Sequence, residues 1–92
     1  MEHEGVFYAT HRDVYEPSDD SFLLARVVKD HAGPGVRVLE VGCGTGLVGL
    51  TAAKAGAEVT LTDANPFAVE LARHNAKENE VRVEVVETDL LA

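Results

Sequence analysis

The chain has 92 residues, of which 46% are hydrophobic and 26% charged, and its formal net charge is −8. This composition excludes a disordered or fibrous protein and fits one ordinary globular domain or part of one. It argues against a nucleic-acid-binding surface, which needs clustered Lys and Arg, although the acidic excess could equally be the solvated surface of a salt-adapted organism.

Residues 1–17 are predicted to form an irregular arm that includes a lid segment. Ser18 is predicted to cap a helix over residues 18–31, because a hydroxyl suits the N-cap and acidic residues follow it. Further along the chain, β-branched runs and capping signals predict a strand over 36–41, a helix over 45–55, a strand over 58–62, a helix that starts at Pro66 after the cap Asn65, and a strand over 81–86.

The alternation of strands and helices predicts an α/β fold, a Rossmann-like sheet of three parallel strands with flanking helices. Right-handed crossovers give the strands the spatial order 3-2-1. The strand over 36–41 is then an open edge. We therefore expect it to pair with a partner or a second copy, or to make the protein poorly soluble.

Membrane, secretory and metal functions find no support in the sequence. No apolar run approaches the roughly 20 residues of a membrane span. The start is polar and acidic, unlike a signal peptide, and predicts a cytoplasmic protein. Cys43 is the single cysteine and is predicted to fill space in a loop, while the four histidines are scattered, so no metal ligand is predicted.

Three acidic residues fall at the carboxyl ends of the three predicted strands. Glu40 lies in the first strand, Asp63 follows the second, and Asp89 follows the third. Ligands of such sheets bind beyond the carboxyl ends of the strands, so these carboxylates are predicted to face one binding site.

A glycine-rich loop follows the first strand. Gly42, Gly44 and Gly46 are predicted to take positive φ values and to let the backbone approach a ligand, whereas Gly49 is predicted to allow close packing of helix on strand. Residues 44–49 fit GxGxxG, and Asp63 lies 19 positions after Gly44, so a nicotinamide cofactor stays an alternative. The carboxylate of Glu40 disfavours it, because a pyrophosphate would be repelled there.

These motifs resemble a known family. ExGxGxG, then TDANP and TDLL, resemble the cofactor half of class I S-adenosylmethionine-dependent methyltransferases, over residues 14–91. The segment VYEPSDDSFLL, residues 14–24, is similar to the eukaryotic and archaeal branch of HemK-type glutamine methyltransferases. Those enzymes methylate the glutamine of the GGQ loop in class I translation release factors.

The resemblance implies roles for residues at two ends of the cofactor. At the methionine end, Ser21 would lie over the cofactor, Glu40 and Gly42 would anchor it, and Tyr15 with Pro17 would shape the lid. At the adenosine end, Asp63 would accept hydrogen bonds from the ribose hydroxyls and Asp89 from the adenine amino group. Ala64 or Leu90 would line the adenine ring.

The motif NPPY, which holds the amide substrate in this family, is absent from the 92 residues. Asn65-Pro66 is followed by Phe67 and is not that motif. We therefore expect residues 18–92 to be the N-terminal half of a methyltransferase domain, truncated before NPPY and catalytically incomplete, with no catalytic residue of its own. The resemblance also implies a release factor as substrate and a small zinc-binding activator subunit as partner.

Three functional hypotheses remain from the sequence. The first is N5-methylation of glutamine in a release factor. The second is adenine-N6 methylation of DNA, which shares NPPY chemistry but fits the −8 charge poorly. The third is a cofactor-binding or interaction half-domain without catalysis.

Overall fold

The computed structural model describes residues 1–89, and the predicted site residue Leu90 lies outside this range. No helix in this range is both long and apolar enough to cross a membrane. The elements, in chain order, are β1 (Glu2–His3), β2 (Val6–Phe7), α1 (Asp19–His31), β3 (Arg37–Val41), α2 (Leu47–Lys54), β4 (Glu58–Asp63), α3 (Pro66–Glu78) and β5 (Glu84–Glu87).

The central sheet has the predicted topology. Its three strands are parallel in the order β3-β4-β5, so β3 lies at an edge as expected. The register pairs Glu40 with Leu61 and Leu61 with Val85, and it pairs Val41 with Thr62. This register brings the carboxyl ends of the strands to one edge of the sheet.

The hydrophobic core lies between the sheet and the helices α2 and α3. Leu50 of α2 and Leu61 of β4 are each 0% exposed and share one cluster with Val59. Side chains alternate along a strand, so the other face of β3 carries Leu39 and Val41, which are 61% and 52% exposed. Within the described residues, the sheet is thus covered by helices on one face.

The helix starts follow the predicted capping chemistry. Ser18 is the N-cap of α1, and its backbone N–H donates to Ser21 Oγ at 3.1 Å. Asn65 caps α3, because its side-chain oxygen accepts from the N–H of Phe67 at 3.0 Å and Pro66 takes the first helical position. Both predicted caps are confirmed.

The strand predicted over residues 81–86 is wrong at its start, since β5 begins only at Glu84. Glu80 has a left-handed φ of 57°, and the N–H of Val81 donates to Ala76 O at 3.2 Å, so these residues still finish α3. Val81 and Val83 pack against the core as partly buried side chains. Their apolar alternation therefore reflects packing of a connecting segment as well as strand pairing.

The N-terminal arm is more ordered than the irregular segment predicted. β1 and β2 form an antiparallel hairpin that pairs Glu2 with Phe7, and the buried Val6 and Tyr8 join the main core. A short hairpin without alternating hydrophobicity carries too weak a local signal to be predicted.

Asn75 of α3 and Asn79, the C-cap of that helix, bind the backbone of the arm. Asn79 accepts from Phe7 N at 2.8 Å and donates to Phe7 O at 2.7 Å. Asn75 bonds Ala9 in the same way, at 2.8 and 3.2 Å. The spacing of four residues on the helix matches two residues on the extended arm, so each side-chain amide replaces the partner that a neighbouring strand would offer.

Candidate functional site

The loop between β3 and α2 turns sharply through three left-handed glycines. Gly42, Gly44 and Gly46 have φ values of 71°, 55° and 86°, as the sequence predicts. The loop is fixed at its ends, because Cys43 N–H donates to Thr62 O at 2.9 Å and Gly46 N–H donates to Cys43 O at 2.9 Å. A residue with a Cβ would be strained at each of these glycines.

Glu40 reaches under this loop from β3. Its Oε1 accepts from the N–H of Gly49 at 3.1 Å. Burial raises the pKa of Glu40 to about 7, the Gly49 hydrogen bond opposes this rise, and the negative charge of Asp63 adds to it. A Cβ at position 49 would overlap Leu61 and lie 3.1 Å from Glu40 Oε1, which confirms the predicted close packing at Gly49.

Asp63, at the end of β4, holds the loop from the side. Its Oδ2 accepts from Gly44 N at 3.0 Å, and its Oδ1 accepts from Asn65 N at 2.9 Å. Each carboxylate oxygen has a second lone pair, so Asp63 can accept further hydrogen bonds while it keeps these two.

A cavity of about 150 Å³ opens between the loop and the arm. It brings together four of the predicted cofactor residues, Ser21, Glu40, Gly42 and Gly44. It is also lined by residues 15–17, Cys43, Thr45, Leu47 and Val48. Glu40 is the only predicted site carboxylate among these lining residues.

The lid residues and the cysteine have distinct surroundings. Tyr15 is 97% exposed, so it is not a core aromatic, and it lines the cavity together with Pro17.

Cys43 is buried, and this burial, together with the charges of Glu40 and Asp63, raises the pKa of its thiol to about 12. The thiol is therefore protonated at neutral pH, which fits its predicted role as a space-filling side chain.

The remaining predicted residues lie outside the cavity. Gly46 is buried, and a Cβ there would lie 3.3 Å from Leu61 and 3.4 Å from Ala72, so helix packing also requires a glycine at this position. Ala64 is exposed beside Asp63. Asp89 is exposed at the same edge of the sheet, one residue after Thr88, whose N–H donates to Asp63 O at 3.0 Å.

Asn75 is a site-forming residue that the sequence reasoning missed. It is 1% exposed, and its Nδ2 donates to Thr45 O in the glycine loop at 2.8 Å. A signal was available, because asparagine is unfavourable inside a helix and Asn75 lies within α3.

The arrangement can bind a small ligand that is positively charged near Glu40 and rich in donors near Asp63. Gly42 leaves backbone accessible, and the neighbouring carboxylates would repel a phosphate. Within the part of the chain that the structure describes, no group of three His, Cys, Asp or Glu residues could hold a metal ion.

Comparison with protein families decides the relationship. A model of the methyltransferase small domain matches residues 1–92. The chain belongs to this family. The resemblance to methyltransferases that the motifs indicated is therefore confirmed.

Two relatives of this methyltransferase small domain cover most of its length. A Methanocaldococcus jannaschii protein, provisionally named a protein N5-glutamine methyltransferase, is 44% identical over 91 residues, which is 98% of this chain and 45% of that protein. A Thermosipho africanus ribosomal protein L11 methyltransferase is 39% identical over 75 residues, which is 80% of this chain and 29% of that protein. The chain thus spans less than half the length of either relative.

A solved structure shows the same fold. The tRNA (uracil-54, C5)-methyltransferase of Pyrococcus abyssi, in complex with S-adenosyl-L-homocysteine, superposes with a TM-score of 0.74 and 29% identity. The match covers 91% of this chain and 22% of that one. The predicted Rossmann-like methyltransferase sheet is confirmed.

Proposed function

We propose that this methyltransferase small domain binds S-adenosylmethionine and forms the cofactor half of a protein methyltransferase. The observation that carries the proposal is the position of Glu40 and Asp63 around one glycine loop. Asp63 holds the N–H of Gly44, and Glu40 lines the cavity on the inner side of the same loop.

The residues of the cavity fit the methionine end of the cofactor. Nothing lies within 4 Å of where a Cβ would stand on Gly42, so the backbone there is open to a ligand. The cavity of about 150 Å³ is smaller than the roughly 300 Å³ of a small cofactor pocket, so it would accommodate only one end of the molecule. We assign the ammonium and sulfonium end to it, next to Glu40, Ser21 and Gly42.

The adenosine end then extends past Asp63 along the edge of the sheet. Asp63 would accept from the ribose hydroxyls with its free lone pairs. Asp89 would accept from the adenine amino group, and Ala64 with Leu90, which lies outside the described residues, would line the ring. Gly44 and Gly46 complete the loop that faces the cofactor.

When bound, S-adenosylmethionine supplies a methyl group on a positively charged sulfur. Glu40 is suited to that charge, because a nearby cation favours the ionised carboxylate and so opposes the rise of its pKa. The loop and the arm residues 15–17 line the cavity from two sides. Because the chain spans less than half of its relatives, the groups that hold the methyl acceptor are proposed to lie in the remainder of such proteins.

For the acceptor, we propose the side-chain amide of the glutamine in the GGQ loop of a class I release factor, in the cytoplasm. The 44% identical M. jannaschii relative and the segment at residues 14–24 support this choice. The same proposal includes a small zinc-binding activator subunit as partner.

Ribosomal protein L11 is the second candidate acceptor, because the Thermosipho relative is 39% identical over 80% of this chain. Both acceptors are proteins of the translation apparatus. An enzyme for one acceptor would differ from an enzyme for the other outside this domain, where the acceptor would bind.

Calorimetry with the 92-residue chain tests the cofactor assignment. We expect binding of S-adenosylmethionine and S-adenosylhomocysteine and none of NAD. Binding of NAD alone would contradict the proposal. A tritium-transfer assay then identifies the acceptor. In it, a full-length protein that contains this domain is offered a release factor, L11 or duplex DNA. Labelling of L11 alone or of DNA alone would exclude the GGQ glutamine.

A further inference from the structure

We propose that Asn75 is a positioning residue that sets the separation between the two walls of the cavity, the glycine loop and the arm residues 15–17. Its effect on cofactor affinity rests on the function proposed above, whereas its effect on the geometry of the loop does not.

Asn75 uses all of its hydrogen-bonding groups to join three segments. Its Nδ2 donates to Thr45 O at 2.8 Å and to Ala9 O at 3.2 Å, and its Oδ1 accepts from Ala9 N at 2.8 Å. The side chain is almost completely buried, so water cannot substitute for these partners. One amide therefore connects α3, the arm and the loop.

The loop depends on such external support. Thr45 lies between Gly44 and Gly46, both left-handed and without side chains to pack. The hydrogen bond to Thr45 O restrains the loop at its middle, whereas Asp63 restrains it one residue earlier, at Gly44 N.

The arm carries the restraint from Ala9 to the cavity. Val14 is buried against Ala68 and Leu71 of α3, and Asn65 Nδ2 donates to Asp13 O at 2.8 Å. The next residue, Tyr15, lies over the loop, because a Cβ on Gly44 would stand 3.7 Å from Tyr15 O. Ala9, Asp13 and Val14 are thus held by α3 or its N-cap Asn65, and the cavity wall begins immediately after Val14.

Asn79 provides a matched control on the same helix. It also bonds the arm, through Phe7 N and O, and it donates to Asn75 O at 2.7 Å. Within residues 1–89, its side chain makes no hydrogen bond to the glycine loop or to the cavity lining. Loss of either amide should lower stability, but only loss of Asn75 should alter the cavity.

The test compares Asn75→Ala with Asn79→Ala in the 92-residue chain. Urea unfolding should show both variants destabilised, since each leaves buried backbone groups unpaired. In ¹⁵N NMR spectra without ligand, the amides of residues 44–46 and 15 should shift in Asn75→Ala and stay near wild type in Asn79→Ala. The Kd for S-adenosylhomocysteine should rise roughly 3- to 10-fold in Asn75→Ala, the range that loss of one hydrogen bond implies, and stay within about 2-fold in Asn79→Ala.

Equal shifts of the loop amides in the two variants would overturn the proposal, as would equal changes in Kd. If Asn75→Ala does not fold, Asn75→Ser replaces it. The serine hydroxyl can donate one hydrogen bond, so the changes in the loop amides and in the Kd should exceed those of Asn79→Ala, and the rise in Kd should stay below 10-fold. Values equal to those of Asn79→Ala would reject the role. Wild-type protein that binds no S-adenosylhomocysteine refutes the proposed function alone, and the NMR comparison still decides the role of Asn75.

Discussion

Replacing Glu40 by Gln separates the cost of burying a carboxylate from the hydrogen bond that holds it. In Glu40→Gln the side-chain oxygen can still accept from Gly49 N, which lies 3.1 Å from Glu40 Oε1. What disappears is the ionisable group whose pKa rises from 4.5 to about 7, chiefly through burial.

The sign of the effect follows from proton linkage. Between pH 4.5 and pH 7 the folded wild type holds a proton on Glu40 that the unfolded chain has released, so its stability falls as the pH rises through this window. A pKa difference of this size corresponds to at most about 3 kcal/mol. As the pH rises from 4.5 to 8, the free energy of unfolding of Glu40→Gln should therefore increase relative to that of wild type by up to about 3 kcal/mol.

Urea unfolding of both proteins at a series of pH values measures this difference, in which the contributions of carboxylates that do not interact with Glu40 cancel. Glu58→Gln is the control, because Glu58 lies on the neighbouring strand with its side chain 79% exposed. A wild-type to Glu40→Gln difference that is the same at pH 4.5 and pH 8 would refute the reasoning. The proposed function adds a second readout, since Glu40→Gln should weaken binding of S-adenosylmethionine more than of S-adenosylhomocysteine, whose sulfur is neutral.

Three further predictions concern the same loop. Gly49→Ala should lower the free energy of unfolding in urea by about 1–3 kcal/mol or more, because its Cβ would overlap Leu61. Gly33→Ala should lower it little, because no atom lies within 4 Å of where a Cβ would stand on Gly33. Asp63→Asn should lower the free energy of unfolding by about 1–3 kcal/mol, because an NH₂ group would face the N–H of Gly44 or of Asn65. Calorimetry should also show at least tenfold weaker cofactor binding, and unchanged affinity would remove Asp63 from the site. Cys43 should resist iodoacetamide at pH 8 in the folded protein and react in urea, since burial first, and then nearby negative charge, raises the pKa of its thiol to about 12; rapid labelling of the folded chain would contradict this.

The parallel sheet was predictable because its signals are local. Short β-branched runs, the left-handed glycines and the Asn65-Pro66 cap each act within a few residues. The handedness of crossovers then determines the order of the strands. The same signals placed Glu40 and Asp63 at one edge of the sheet, and the structure shows Asp63 bonded to Gly44 N in the loop and Glu40 bonded to Gly49 N in α2.

The arm and the role of Asn75 were not predictable in this way. Asn75 bonds Ala9 across 66 residues, and this pairing leaves no periodic pattern in the sequence. Val81 and Val83 alternate like a strand, yet the end of α3 delays β5 to Glu84. For Asn75 a tertiary contact decides the outcome over local propensity, whereas for Val81 the hydrogen bond of its N–H to Ala76 O, which ends α3, does so.

The bond between Phe7 and Asn79 spans 72 positions of the chain. At a translation rate of about 5–20 residues per second, Phe7 is synthesised roughly 4 to 14 s before Asn79. Until then the backbone groups of Phe7 and Ala9 have only water to bond. The segment that is synthesised first can therefore dock only after α3 has been made, and a nascent chain that stalls within α3 would present its hairpin to chaperones and proteases.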